Sequence, residues 1–182
     1  MKYYYFVAAL PAVSLDGPFS LSWEDFLRRC DEFLQPDDRR AIEALSEPID
    51  VPARHPFIAR WRRMEVQVRN AVVRNRAARL RRDATPYLRD QEGFDLRIVN
   101  AVGDAFSKEN PRDREAALDR LRWALIEEAA GVDPFALDAV LAYALKLRLA
   151  ERWARLDRPA GRRAIESFVN RPPESTMAKQ TS

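Results

Sequence analysis

The side chains with the most capacity for chemistry lie in one stretch. Between Pro56 and Arg82, arginines recur at Arg62, Arg69 and Arg76, one every seven residues, beside Val66, Val73 and Leu80 at the same interval. A guanidinium presents a planar fork that matches carboxylates and phosphates. Seven residues return a helix to nearly the same side, so these six positions form a narrow apolar seam flanked by cations. They are the candidate partner surface. Three uses fit such a seam. It can receive a protein partner, it can neutralise phosphates of a nucleic acid, or it can lie inside its own bundle with arginine stems covering apolar surface.

Catalytic chemistry has little to work with. His55 is the single histidine and Cys30 the single cysteine, so one chain cannot build a Cys/His zinc site. There is no Gly-x-Ser-x-Gly turn and no glycine-rich phosphate loop. Glu127-Glu128 and Asp37-Asp38 are sequence neighbours, which diverge on a helix, and they read as solvated faces or partners of helix dipoles. His55 reads as a helix-start residue and Cys30 as core. No catalytic, cofactor-binding or metal-binding residue is assigned, and the expectation is a protein that is not an enzyme.

The elements that position the arginine seam are helical. Glycine is scarce, at 5 of 182 residues, and 32% of the chain is charged, a composition that favours long helices. Residues 56–82 contain no internal proline or glycine and predict one helix of about 40 Å at 1.5 Å per residue. Phe57, Trp61, Met64, Val68 and Ala71 form its main apolar seam, widened by Ile58 and Val72. Arg60, Arg63, Arg74 and Arg81 fall on the remaining polar side, and Glu65 is the one acidic residue in the stretch. Around it, Ser22 predicts a capped helix to about Leu34, with Leu21 stapling to Phe26. Helices follow over about 37–46, 95–107, from Asn110-Pro111 to Gly131, and from Asp133-Pro134 to about Leu156. The last of these is apolar nearly all round, which predicts a central position. A short helix over about 161–170 completes the set.

The chain opens on Tyr3-Tyr4-Tyr5-Phe6, a candidate docking arm with no second strand-like run to pair with it. It is expected as a short helix or an extended arm laid over helices, with its aromatics either in the core or at an interface. The resulting expectation is an all-α bundle of about six to seven helices in one domain over 1–171, with a disordered tail over 172–182. No apolar run approaches the roughly 20 residues of a membrane-spanning helix, the N-terminus lacks signal-peptide character, and one cysteine suits a reducing compartment. A soluble cytoplasmic protein is expected.

Two stretches taken together carry a family resemblance. One is Tyr4 to Pro11 with Ser22-Trp23-Glu24-Asp25-Phe26 and Cys30. The other is Leu141-x-Tyr143-Ala144-Leu145-Lys146-Leu147 with Glu151-Arg152-Trp153, Leu156-Asp157 and Gly161. The combination resembles a small bacterial family encoded among V/A-type ATPase (ATP synthase) subunit genes. That family is itself similar to a shortened form of the C-type stalk component (d-type in eukaryotes), the all-helical, funnel-like protein that links the central rotor stalk to the membrane ring. The resemblance implies an all-helical, non-catalytic accessory, stalk or assembly component of a rotary ion-transporting ATPase. Such a component acts by protein–protein contacts and meets the inner face of the membrane only through that complex. The alternative is a helical nucleic-acid-binding protein using the arginine stripe. That reading is disfavoured, because the rest of the chain is nearly charge-balanced and no nucleic-acid module matches.

Overall fold

The computed structural model describes residues 3–17 and 20–156. Among these, seven α-helices run in order: α1 (Tyr4–Ala8), α2 (Trp23–Phe33), α3 (Pro36–Ala44), α4 (Pro56–Leu80), α5 (Leu96–Ser107), α6 (Pro111–Ala130) and α7 (Leu137–Leu156). A 3-10 turn, Thr85–Tyr87, interrupts the connection from α4 to α5, and no strand occurs among the described residues. The expected helix over 161–170 and the tail over 172–182 lie outside the described residues.

The helices begin where short polar side chains can satisfy free backbone donors. The Ser22 hydroxyl accepts from the Asp25 N–H at 3.1 Å, Asp95 accepts from Arg97 N–H at 2.8 Å, and Asn110 accepts from Arg112 N–H at 2.9 Å. His55 does the same work for α4, its Nδ1 accepting from the Phe57 N–H at 3.3 Å. Pro56 and Pro111 occupy first helical positions, where a missing N–H costs nothing.

Two boundaries differ from expectation. The long helix stops at Leu80, because Arg81 takes a left-handed conformation (φ 52°). The Arg82 and Arg81 N–H groups then close back onto the carbonyls of Ala77 and Ala78, at 2.9 and 3.2 Å. Helix α7 starts at Leu137 instead of Asp133-Pro134. Asp133 Oδ1 accepts from the Phe135 N–H at 2.9 Å, which holds residues 133–136 as a separate turn.

The interior is two adjoining cores. The first gathers α1, α2, α3, the start of α4 and most of α7 around Phe26, Ile42, Phe57, Ile58, Leu141 and Leu147. The second packs the later half of α4 against α5 and α6 through Val68, Ala71, Ile98, Val102, Phe106 and Leu125. Trp61 and Met64 touch both clusters. The seam predicted on α4 is therefore real but serves two cores in succession. Helix α7 packs on α2, α3 and α6, as a central helix of the first core should, whereas α4 spans the pair.

The N-terminal segment is helical, and it divides by side. Tyr3 and Phe6 are buried in the first core, while Tyr4 and Tyr5 are 47% and 83% exposed. The Phe6 ring lies 6.4 Å from Phe26 and 5.6 Å from Phe33, and the Tyr3 N–H donates to the Phe135 carbonyl at 3.3 Å. Cys30 sits fully buried in the same core, where burial pushes its thiol up to about 12.

Phe6→Ala is expected to destabilise the fold by about 3–5 kcal/mol in urea unfolding. Tyr5→Ala, on the exposed side, should stay within about 0.5 kcal/mol of the parent. Equal losses for the two variants would contradict this division of the arm.

Candidate functional site

The six positions of the arginine seam do not form one surface. Arg62 is buried. Its guanidinium donates to the Val51 carbonyl, to the Ala44 carbonyl at 2.7 Å and to Glu47 at 3.4 Å. It holds the connection between α3 and α4 and is unavailable to a partner. Val66 is half-buried, and Leu80 stands 67% exposed at the end of the helix. Arg69, Val73 and Arg76 do lie together, along one wall of a groove of about 490 Å³.

Arg60 also departs from expectation. It is not on a free polar side, because it donates to the Ala129 carbonyl at 2.9 Å and to Asp138 at 2.7 Å, joining the end of α6 to the start of α7. Arg79 donates to the Phe106 carbonyl with its guanidinium 5.2 Å above the Phe106 ring. Thus Arg60, Arg62 and Arg79 reach the last turns of α6, α3 and α5, where carbonyls lack helical partners and the dipole favours cations.

The groove runs between α4, the 85–91 connection, α6 and α7. Its base is a chain of alternating charges. Glu65, on α4, is buried and accepts from Arg69 at 2.9 Å and from Arg122 Nε at 3.0 Å. Arg122, on α6, also donates to Asp119 at 2.9 Å. Asp119 has no exposed surface, and its second oxygen accepts from the Trp153 indole at 2.8 Å and lies 3.1 Å from Arg152. Arg152 continues to Glu115 at 3.1 Å. Burial alone would lower the Arg122 guanidinium, but Glu65 and Asp119 outweigh it and hold it above its ordinary value.

A second polar contact positions the groove's rim. Asn70 is fully buried on α4, its amide donating to the Arg89 carbonyl at 2.9 Å and accepting from the Arg89 N–H at 2.9 Å. This pins the 85–91 connection to the helix and sets Arg89 at the groove, where its guanidinium pairs with Asp50. The Arg76 side chain makes no hydrogen bond or ion pair among the described residues.

Glu65, Asn70, Asp119 and Arg122 were not among the expected site residues. Glu65 carried a signal, as the lone acid of an arginine-rich helix. Asp119 and Arg122 carried a weaker one, an opposite-charge pair at i,i+3. Asn70 carried none. Chemically, the groove offers guanidinium groups beside apolar surface from Val73, Leu118 and Leu149. Among the described residues, no group of three His, Cys, Asp or Glu side chains is arranged to hold a metal ion.

Residues 95–172 match the model of a family described as a protein of unknown function (DUF2764). The matched stretch begins at the cap of α5, takes in α6 and α7, and continues past the described residues. It contains Asp119, Arg122, Arg152 and Trp153, the part of the charge network that α6 and α7 supply. No curated protein and no solved structure matches the chain.

Asp119→Ala is expected to cost about 3–5 kcal/mol, because it leaves Arg122 and Trp153 short of a buried acceptor. For a chain of this length that corresponds to a fall in Tm on the order of 10 °C. Combining it with Arg122→Met should cost less than the sum of the two single changes. Additive losses in a thermal-unfolding cycle would show that the two side chains are not coupled.

Proposed function

We propose that the protein is a non-catalytic component of a V/A-type rotary ATPase, an accessory, stalk or assembly factor that acts by binding other proteins. One observation carries the reading. The two stretches on which the family resemblance rests are far apart in sequence and pack as one unit. The Tyr143 hydroxyl donates to the Pro11 carbonyl at 2.9 Å across 132 positions. The Phe26 ring lies 5.5 Å from that of Tyr143, and Phe6 packs against Phe26. The two stretches thus belong to one structural unit, which supports reading them as a single pattern, the one that the resemblance rests on.

Further support comes from the kind of surface present. Arginine-lined concavity, exposed Tyr5, Leu80 and Tyr87, and an all-helical body suit protein contacts. The nucleic-acid alternative is weaker than the stripe suggested. Of its three arginines, Arg62 is buried and Arg69 is held by Glu65, which leaves Arg76.

Affinity-tagged protein purified from its own cells in low-salt buffer is expected to bring down V/A-type ATPase stalk proteins, identified by mass spectrometry. The same proteins, purified separately, should co-elute with it in gel filtration. Recovery of none of them in either experiment would overturn the proposal.

A further inference from the structure

The charges around the groove do not balance. Arg69, Arg76, Arg89, Arg122 and Arg152 line it against Glu65, Glu115 and Asp119. All three acids are already taken up: Glu65 by Arg69 and Arg122, Asp119 by Arg122 and Arg152, Glu115 by Arg152. The excess positive charge resides in Arg76, which has no polar partner among the described residues, and in Arg89, whose guanidinium shares only the exposed Asp50. Beside these cations the groove offers apolar surface from Val73 and Leu149, and the 66% exposed Tyr87 ring stands at its edge.

We propose that this groove docks an acidic segment of a protein partner. Arg76 and Arg89 pair with its carboxylates, and Val73, Leu149 and Tyr87 receive its apolar side chains. The inference rests on the protein-binding reading above and specifies the chemistry of the partner.

Three other occupants fit less well. The chain's own residues 157–182 carry five basic side chains against three acidic ones, the wrong sign for this groove. A nucleic acid would bring a continuous row of phosphates past Glu65, Glu115 and Asp119, with only Arg76 and the Asp50-paired Arg89 to receive them. An inorganic anion would leave the apolar surface of Val73, Leu149 and Tyr87 unused. An acidic segment with apolar side chains uses both features. The Asn70 clamp on the Arg89 backbone limits the ordering that binding would require.

The test is fluorescence anisotropy with the full chain and a fluorescein-labelled helical peptide of Leu-Glu-Glu-Leu repeats. The matching Leu-Lys-Lys-Leu peptide and a single-stranded oligonucleotide serve as comparison probes. The glutamate peptide is expected to bind, and the lysine peptide is not. Arg76→Glu and Arg89→Glu should each weaken binding about tenfold or more, as loss of a charge-assisted hydrogen bond implies. Arg74→Glu, an exposed change on α4 outside the groove, should stay within about twofold of the parent. Circular dichroism on each variant confirms the fold.

No binding of the glutamate peptide, an equal loss in Arg74→Glu, or tighter oligonucleotide binding that Arg76→Glu abolishes would overturn the proposal. Undiminished recovery of ATPase stalk proteins by the Arg76→Glu/Arg89→Glu double variant would overturn it too, while leaving the ATPase reading intact. Groove-dependent peptide binding without any ATPase protein in the pull-down would leave the groove standing and remove the ATPase reading.

Discussion

A carboxylate with no exposed surface sets the terms for the three longest helices. Asp119 cannot remain charged in the interior unless donors surround it. Its own helix supplies Arg122, and α7 supplies the Trp153 indole and Arg152. Arg122 in turn is largely buried and requires Glu65 from α4. Each charge is tolerated only because the next is in place. Apolar packing is non-directional and would permit helices to slide along one another. Hydrogen bonds near 3 Å do not. The register of α4, α6 and α7 is therefore pinned by this network as well as by the packing of the two cores.

The arginine excess of α4 has a structural origin that its periodicity concealed. Every helix leaves its last carbonyls without helical partners. Arg60, Arg62 and Arg79 reach out from α4 to the ends of α6, α3 and α5. One long helix thereby closes three others, and its two apolar stretches bind the two cores in turn. Glycine is rare in this chain, so glycine-based helix ends are few. Side-chain donors delivered from a neighbour do the same work. Four arginines of α4 are left over, Arg63, Arg69, Arg74 and Arg76, and of these Arg69 and Arg76 line the groove.

Much of this was legible in sequence because it is local. Caps at Ser22, His55, Asp95 and Asn110, prolines at first helical positions, and the 4,3,4,3 spacing from Phe57 to Ala71 each act within a few residues. What failed depended on distant partners. Nothing near Arg62 announces that the Ala44 and Val51 carbonyls will close over it, so a regular heptad of arginines looked like one surface. The stop at Arg81 was hidden because an arginine stands in a left-handed position that glycine usually marks. The burial of Asp119 is set by α4 and α7, from which it is separated by long stretches of chain. The aromatic opening was half legible: its helical period puts Tyr3 and Phe6 inward, and only the surrounding helices determine that Tyr4 and Tyr5 stay outward.

The groove is a consequence of the same network that orders the helices. Closing Glu65, Arg122, Asp119 and Arg152 into a chain consumes every acid along its floor and holds Arg122 and Arg152 between two acids each. The Arg89 backbone at the rim is likewise already fixed by Asn70, so little of it is left to order. A ligand arriving there meets an electrostatic field whose sign is decided by residues outside the network, Arg76 and Arg89. Under the proposed docking, stability and recognition fall to different side chains at one place. The buried acids cannot be changed without disturbing the fold, whereas Arg76 makes no polar contact with the described residues of the free protein. A surface cation kept unpaired beside a saturated ion network contributes little to folding, which makes binding the more economical account of its position.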